Sequence, residues 1–229
     1  DGNLLMLRPD LTLPVARLVA GHVRAEELPA RFRYNAPVVR EQQSLRGQPR
    51  QFTQLGVELV GTDGAAAEVE VVRLLAEALA TLEVPAWRLV FGSVTPLTAL
   101  LSNCSPSPEF SAQVLALVHD SDLVSLDELV DATPALKPSA ARALHAVPRM
   151  HGGVEVVDAI DALLAEADVP PAERGCAELK ALVAELSDLF GDGRASFDFS
   201  IINSFDYYTG IVFKAYAPQL GRSLGSGGR

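Results

Sequence analysis

The sequence predicts an α+β fold in which antiparallel hairpins lie beside helices and a helical subdomain interrupts the sheet. Three observations predict it. Side chains alternate with a period of two at both ends of the chain, over residues 31–60 and again from Phe197 to Phe213. Between them, from Pro106 to Phe190, apolar residues recur every three to four positions. The early strands are joined by a short polar turn and not by helices, which favours hairpins over alternating βαβ units.

The elements follow in order. Leu4-Leu5-Met6-Leu7 reads as a short buried strand that ends in the polar turn Arg8-Pro9-Asp10-Leu11-Thr12. Pro14 then stands near the start of a helix whose Val15, Leu18, Val19 and Val23 share a stripe. Arg31 to Tyr34 alternates charge and aromatic ring, and Val38-Val39-Arg40 extends that strand. Ser44 to Pro49 is a polar turn, so residues 36–60 form a strand, a hairpin loop and a strand. Thr62-Asp63-Gly64 marks a turn, and Val69, Val72, Leu75, Ala76, Leu79 and Leu82 mark an amphipathic helix. Trp87 to Phe91 is a further strand, followed by a short helix ending near Leu101.

The helical block is broken at Pro134, Pro138, Pro148 and Pro170-Pro171. One stripe is Val154, Val157, Ile160, Leu163 and Leu164; another is Leu179, Leu182, Val183, Leu186 and Phe190. Ser125-x-x-Glu128 reads as a capping box. The strand period returns at Phe197, and Asp206 to Phe213 reads as a second strand with Tyr208 and Gly210 on one face. The Gly-Ser-Gly-Gly near the C-terminus reads as a turn or as backbone that a ligand approaches closely.

At 229 residues, 48% hydrophobic and 21% charged, the chain buries a sizeable core and is not a disordered sequence. No apolar run approaches the roughly 18 residues of a membrane span, so a soluble, cytoplasmic protein with no membrane partner is expected. The chain opens at Asp1 without a Met and closes inside a Gly-rich stretch, which reads as a segment truncated at both ends.

The net charge of -10 argues against nucleic acid as a partner, because phosphate binding needs clustered cations. The charge is uneven: residues 1–58 hold eight Arg and six acids, whereas residues 59–199 hold eight basic residues and 22 acids. This unevenness reads as a solvated acidic helical region, or, because the eight N-terminal cations are all Arg, as recognition of a planar anion. Cys104 and Cys176 are too far apart in sequence for a CxxC pair and read as core residues or free thiols. His22, His119, His145 and His151 are scattered, so neither a metal nor a cofactor is expected.

The strand Phe52 to Val60 carries the most chemistry. Leu55, Val57 and Leu59 share one face, read as a core face; Gln54, Gly56 and Glu58 share the other. A glycine between two hydrogen-bonding side chains leaves a gap on the sheet, either a solvent-facing bulge or a place for a small polar ligand.

Four ordered segments together resemble the catalytic core of class II histidyl-tRNA synthetases and of their paralogue, the regulatory subunit of ATP phosphoribosyltransferase. Leu7-Arg8-Pro9-Asp10-Leu11-Thr12 resembles the synthetases' Leu-Arg-Pro-Glu-Gly-Thr. Arg40 to Glu58, with Arg50-Gln51-Phe52-Thr53-Gln54-Leu55-Gly56-Val57-Glu58, resembles the second class-defining motif. Asp206-Tyr207-Tyr208-Thr209-Gly210-x-Val212-Phe213 resembles a histidine-specific motif, and the Gly-rich end resembles the lead-in to a strand that backs the nucleotide. The resemblance implies a class II synthetase-like antiparallel sheet flanked by helices. Its core would be split into residues 1–102 and 195–229 around a helical insertion over 103–194.

The departures separate the two relatives. The synthetases join histidine to ATP, and charge building on the α-phosphate must be met by preorganised cations. Arg40 matches one of these, but Asn203 stands where the family's second Arg opens its Arg-Gly-Leu-Asp-Tyr-Tyr motif. Gln48 follows Gly47 where a hairpin-loop Arg contacts the outer phosphates, and Gln42 replaces an acid two positions after the motif Arg. Each lost cation costs about 10²–10³ in rate.

The amino-acid pocket is better kept. By resemblance the histidine-binding residues are Asp10, Thr12, Arg40, Gln54, Glu58, Tyr207 and Tyr208. Asp10 and Thr12 would hold the amino group with Gln54, while Glu58 and Tyr208 would meet the imidazole. The resemblance therefore implies a subunit with no catalytic residues of its own. It would bind the catalytic subunit of ATP phosphoribosyltransferase in the first step of histidine biosynthesis, transmit feedback by L-histidine, and self-dimerise through its class II core. The alternative it implies is a histidyl-tRNA synthetase core.

Overall fold

A computed structural model describes residues 6–41, 49–201, 207–220 and 223–229. The chain divides into two compact units, Asp1–Val71 and Val72–Arg229.

The first unit is built on a two-stranded ribbon. Helix α1 (Thr12–His22) precedes strands β1 (Ala30–Val39) and β2 (Gln51–Val60), and helix α2 (Ala65–Thr81) begins in this unit. The strands pair antiparallel from Ala30 opposite Val60 to Val39 opposite Gln51. Arg40 N–H donates to the Arg50 carbonyl at 2.9 Å, carrying the pairing one step beyond the strands. The turn ahead of α1 is fastened to the end of β1: Val39 N–H donates to the Arg8 carbonyl at 2.9 Å, and Arg8 Nε donates to the Pro37 carbonyl at 2.8 Å.

Three expectations for this unit are corrected. Leu4 and Leu5 lie outside the described residues, but Met6 and Leu7 form no strand and are 82% and 72% exposed. Their apolarity asks for burial, but none of the described residues covers them. The stripe on α1 is likewise not buried: no residue of that helix is. The two faces of β2 are also exchanged. Leu55 and Val57 are 69% and 40% exposed, whereas Gln54, Gly56 and Glu58 are partly covered. Alternation shows that a strand has two faces; which one is covered depends on what packs there. Here the N-terminus of α1 lies over the polar face, with Leu11 and Val38 buried beside it.

Among the described residues, the second unit holds a five-stranded sheet and most of the helices. Strand β3 (Arg88–Ser93) leads to α3 (Thr95–Cys104), α4 (Pro108–His119), α5 (Leu123–Asp131) and α6 (Pro138–Ala146). A two-residue strand, β4 (His151–Gly152), precedes α7 (Glu155–Glu166), α8 (Cys176–Glu185) and α9 (Ser187–Gly191). The chain returns to the sheet as β5 (Ala195–Asp198), β6 (Ile211–Tyr216) and β7 (Ser223–Gly228). The spatial order is β4-β5-β3-β6-β7. Strands β3 and β5 are parallel and the other neighbours antiparallel, so the sheet is mixed. The parallel pair is possible because the whole helical block separates its strands, far more than the dozen residues such a crossover needs.

Proline stands in the first turn of α3, α4 and α6, where its missing N–H costs no helical bond. The stripes pack the block: Val157, Ile160 and Leu164 of α7 are buried, with Leu179 and Leu182 of α8. Val154 is exposed and caps α7, and Val156 is buried in its stead. Phe190 stacks on Phe91 and Phe197, with ring centroids 5.9 and 5.2 Å apart, and ties the helices to the sheet.

The cap of α5 also differs from the expectation. Asp122 is the N-cap: its Oδ1 accepts from Ser125 N–H at 3.0 Å and its Oδ2 from Ser125 Oγ at 2.7 Å. Asp122 thus satisfies the N–H three residues on, and the helix starts at Leu123, two residues before Ser125. The expected strand from Asp206 starts only at Ile211; residues 202–206 lie outside the described residues. Residues 223–228 of the Gly-rich end are neither turn nor loose terminus. They form β7, paired along β6 from Val212–Gly228 to Tyr216–Ser223.

Candidate functional site

The polar face of the ribbon gathers a small hydrogen-bonded cluster in the first unit. Thr12, the first residue of α1, donates its hydroxyl to Glu58 Oε1 at 2.8 Å. Tyr34 donates its hydroxyl to the same oxygen at 3.3 Å. Strand geometry dictates this meeting: Tyr34 lies directly opposite Gly56, two residues before Glu58 on the same face. A Cβ at position 56 would land on the Tyr34 ring, so only glycine admits it. The gap expected over Gly56 is therefore filled by the protein's own phenol.

Burial, and then the negative charge of Glu58, push the Tyr34 phenol above its ordinary range, with the Thr12 hydroxyl pulling the other way. The phenol thus stays a donor throughout neutral pH. Asp10 contributes in the same direction as Glu58, which places its carboxylate in the same local field. Gln54 shares the face with Glu58 from four residues away, and its Oε1 is buried without a hydrogen-bond partner among the described residues.

Arg40 stands just past β1. Its Nε donates to the Pro9 carbonyl at 2.8 Å, and its guanidinium lies over the Phe52 ring, 5.4 Å from the centroid. It braces the turn that carries Asp10. Of the seven expected residues, five thus belong to the first unit, and Thr12 and Glu58 are in direct contact.

Tyr207 and Tyr208 belong to the second unit, just ahead of β6. Their rings meet edge to face with centroids 4.9 Å apart. The Tyr208 ring rests on Gly228 of β7, where a Cβ would collide with it. Thr209 N–H donates to the Arg229 carbonyl at 2.7 Å, and Arg229 N–H donates to the Ile211 carbonyl at 3.0 Å. Beside them a cavity of about 380 Å³ is lined by Thr95, Gly175, Glu178, Thr209 and Arg229, among others, and by none of the seven expected residues. Asn203, Gln42 and Gln48, on which the phosphate argument turns, lie outside the described residues.

Tyr34 is the member of the cluster that sequence reading missed. The signal was an aromatic residue opposite a glycine, a pairing that fills the glycine's vacancy. Reading it required the hairpin register, and a slip of one residue would have sent Tyr34 to the other face.

The histidyl-tRNA synthetase family model matches residues 1–229. The chain belongs to the histidyl-tRNA synthetase family. Within that family, the chain is 36% identical over all 229 residues to the ATP phosphoribosyltransferase regulatory subunit of Moorella thermoacetica, and spans 58% of that relative's length. Among solved structures, it is similar to an ATP phosphoribosyltransferase regulatory subunit/histidyl-tRNA synthetase from Bacillus halodurans. The TM-score there is 0.84 at 30% identity, covering 96% of this chain and 56% of that one. The fold is also that of a chain in the ATP phosphoribosyl transferase (HisG:HisZ) complex from Thermotoga maritima. There the TM-score is 0.70 at 19% identity, over 99% of this chain and 77% of that one. The α+β, class II synthetase-like fold of this family is the architecture expected from the sequence. No helix among the described residues is long and apolar enough to cross a membrane.

Proposed function

We propose that this chain is part of a non-catalytic regulatory subunit of ATP phosphoribosyltransferase, which binds L-histidine and joins a catalytic subunit that makes phosphoribosyl-ATP. The observation that carries the reading is a contrast within one family pattern. The polar cradle of Thr12 and Glu58 is kept and hydrogen-bonded, while Asn203 and Gln48 stand where a synthetase holds cations for ATP. A site that binds an amino acid without activating it is what a sensor requires. Feedback follows if histidine binds the inactive assembly more tightly than the active one.

The ATP phosphoribosyltransferase regulatory subunits it is similar to support the same role, and the Thermotoga maritima complex supports a catalytic subunit as partner. On this reading Asp10, Thr12, Gln54 and Glu58 are the histidine-binding residues of the first unit, with Arg40 bracing the turn that carries Asp10, and the family motif adds Tyr207 and Tyr208 of the second unit as candidates. The protein is cytoplasmic, self-dimerises through its class II core, and needs no cofactor. Residues 103–194 are a helical insertion between the core segments 1–102 and 195–229, consistent with β3 and β5 lying side by side across the helical block.

Titration calorimetry tests the reading: histidine is expected to give binding heat and ATP none. Retention of Arg40 favours a second reading, a histidyl-tRNA synthetase core. Robust histidine-dependent pyrophosphate exchange would establish that one and discard the regulatory role.

A further inference from the structure

The expected histidine site contained no residue from β1, yet β1 supplies Tyr34, the side chain that sits over Gly56 and touches Glu58. Two hydroxyls, from Thr12 and Tyr34, converge on Glu58 Oε1. Among the described residues none donates to Oε2. A carboxylate held by two donors on one oxygen has lost its freedom to rotate, and its other oxygen is left as a fixed acceptor. The partner such an acceptor selects is an N–H. Because the phenol fills the gap over Gly56, a flat ring entering beside Glu58 would meet an aromatic wall, while a bulkier aliphatic side chain would have to displace it.

We propose that Tyr34 is a positioning and specificity residue of this site, orienting the Glu58 carboxylate to accept a ring N–H from a heteroaromatic amino acid. The inference rests on the histidine-binding reading and deepens it. Tyr34 acts through Glu58, so its effect should vanish when Glu58 can no longer serve as an anionic acceptor. A residue that only supports the hairpin would have no such dependence.

The test is a double-mutant cycle on the whole protein, with L-histidine affinity read by calorimetry for wild type, Tyr34→Phe, Glu58→Gln and the double variant. Tyr34→Phe keeps the ring over Gly56 and removes only the hydroxyl, so its melting temperature should stay near that of the wild type. Its histidine affinity should fall about tenfold, the cost of re-ordering a carboxylate that the phenol no longer holds in place. In the Glu58→Gln background the same change should cost less than about twofold. Gly56→Ala, which pushes the ring aside, should match Tyr34→Phe in affinity.

A tenfold loss in both backgrounds, or no loss in either, would overturn the role given to Tyr34 while leaving histidine binding intact. Absence of histidine heat with the wild-type protein would instead overturn the binding reading and this inference together.

Discussion

Glu58 is a strand residue whose chemistry is set by its neighbours: Thr12 comes from the helix before the ribbon and Tyr34 from the strand beside it. Single residues elsewhere are governed by burial in the same way. Cys176 is 3% exposed, and burial pushes its thiol up to about 11. At pH 8 its thiolate is then roughly one part in a thousand, and the thiolate is the reactive form. Cys104, partly exposed at the end of α3, is the more accessible thiol, although burial also raises it. A maleimide reagent on the native protein should therefore label Cys104 first, with Cys176 reacting only after denaturation. Peptide mass spectrometry over a labelling time course checks this, and equal rates would contradict the burial argument.

At the scale of elements, caps and stripes decide where helices begin and which way they face. Asp122 caps α5 with both oxygens on Ser125, and these bonds hold its carboxyl below the ordinary carboxylate range. A group whose folded pKa is depressed stabilises the fold above its unfolded pKa, and that contribution is lost as pH falls through the folded value. Asp122→Ala should accordingly lower Tm at pH 7 by a small amount. The gap from wild type should close as the pH drops below the usual carboxylate range. Thermal melts of both proteins across an acid series measure it, and a gap that persists in acid would show that the cap does not act through the carboxylate. Ser125→Ala, by contrast, leaves the Ser125 N–H bond to Asp122 in place and should cost less.

At the scale of the molecule, two units with different chemistry share one chain: the Arg-rich N-terminal unit holds the Thr12–Tyr34–Glu58 cluster, and the acidic helical block belongs to the other. If adenylation was lost with two cations, restoring one will not bring it back. On the regulatory reading Asn203→Arg alone should leave pyrophosphate exchange at background, because Gln48 stands where the resemblance puts the other cation. Exchange rising well above background in that single variant would show that one guanidinium sufficed. The sequence by itself determined the hairpin over residues 30–60, the amphipathic helices, the helical block between stretches of strand, and the ordered family motifs. All of these are local in the chain, written in spacing and residue identity. It did not determine that Leu55 and Val57 face outward, that Ser125 is bonded to a cap instead of being one, or that the Gly-rich end is a paired strand. Only the tertiary structure decided those points, and with them the place of Tyr34. Burial, register and hydrogen-bond choice are set by which residues distant in sequence come to lie opposite, and a hairpin shifted by one position would have separated the phenol from Glu58.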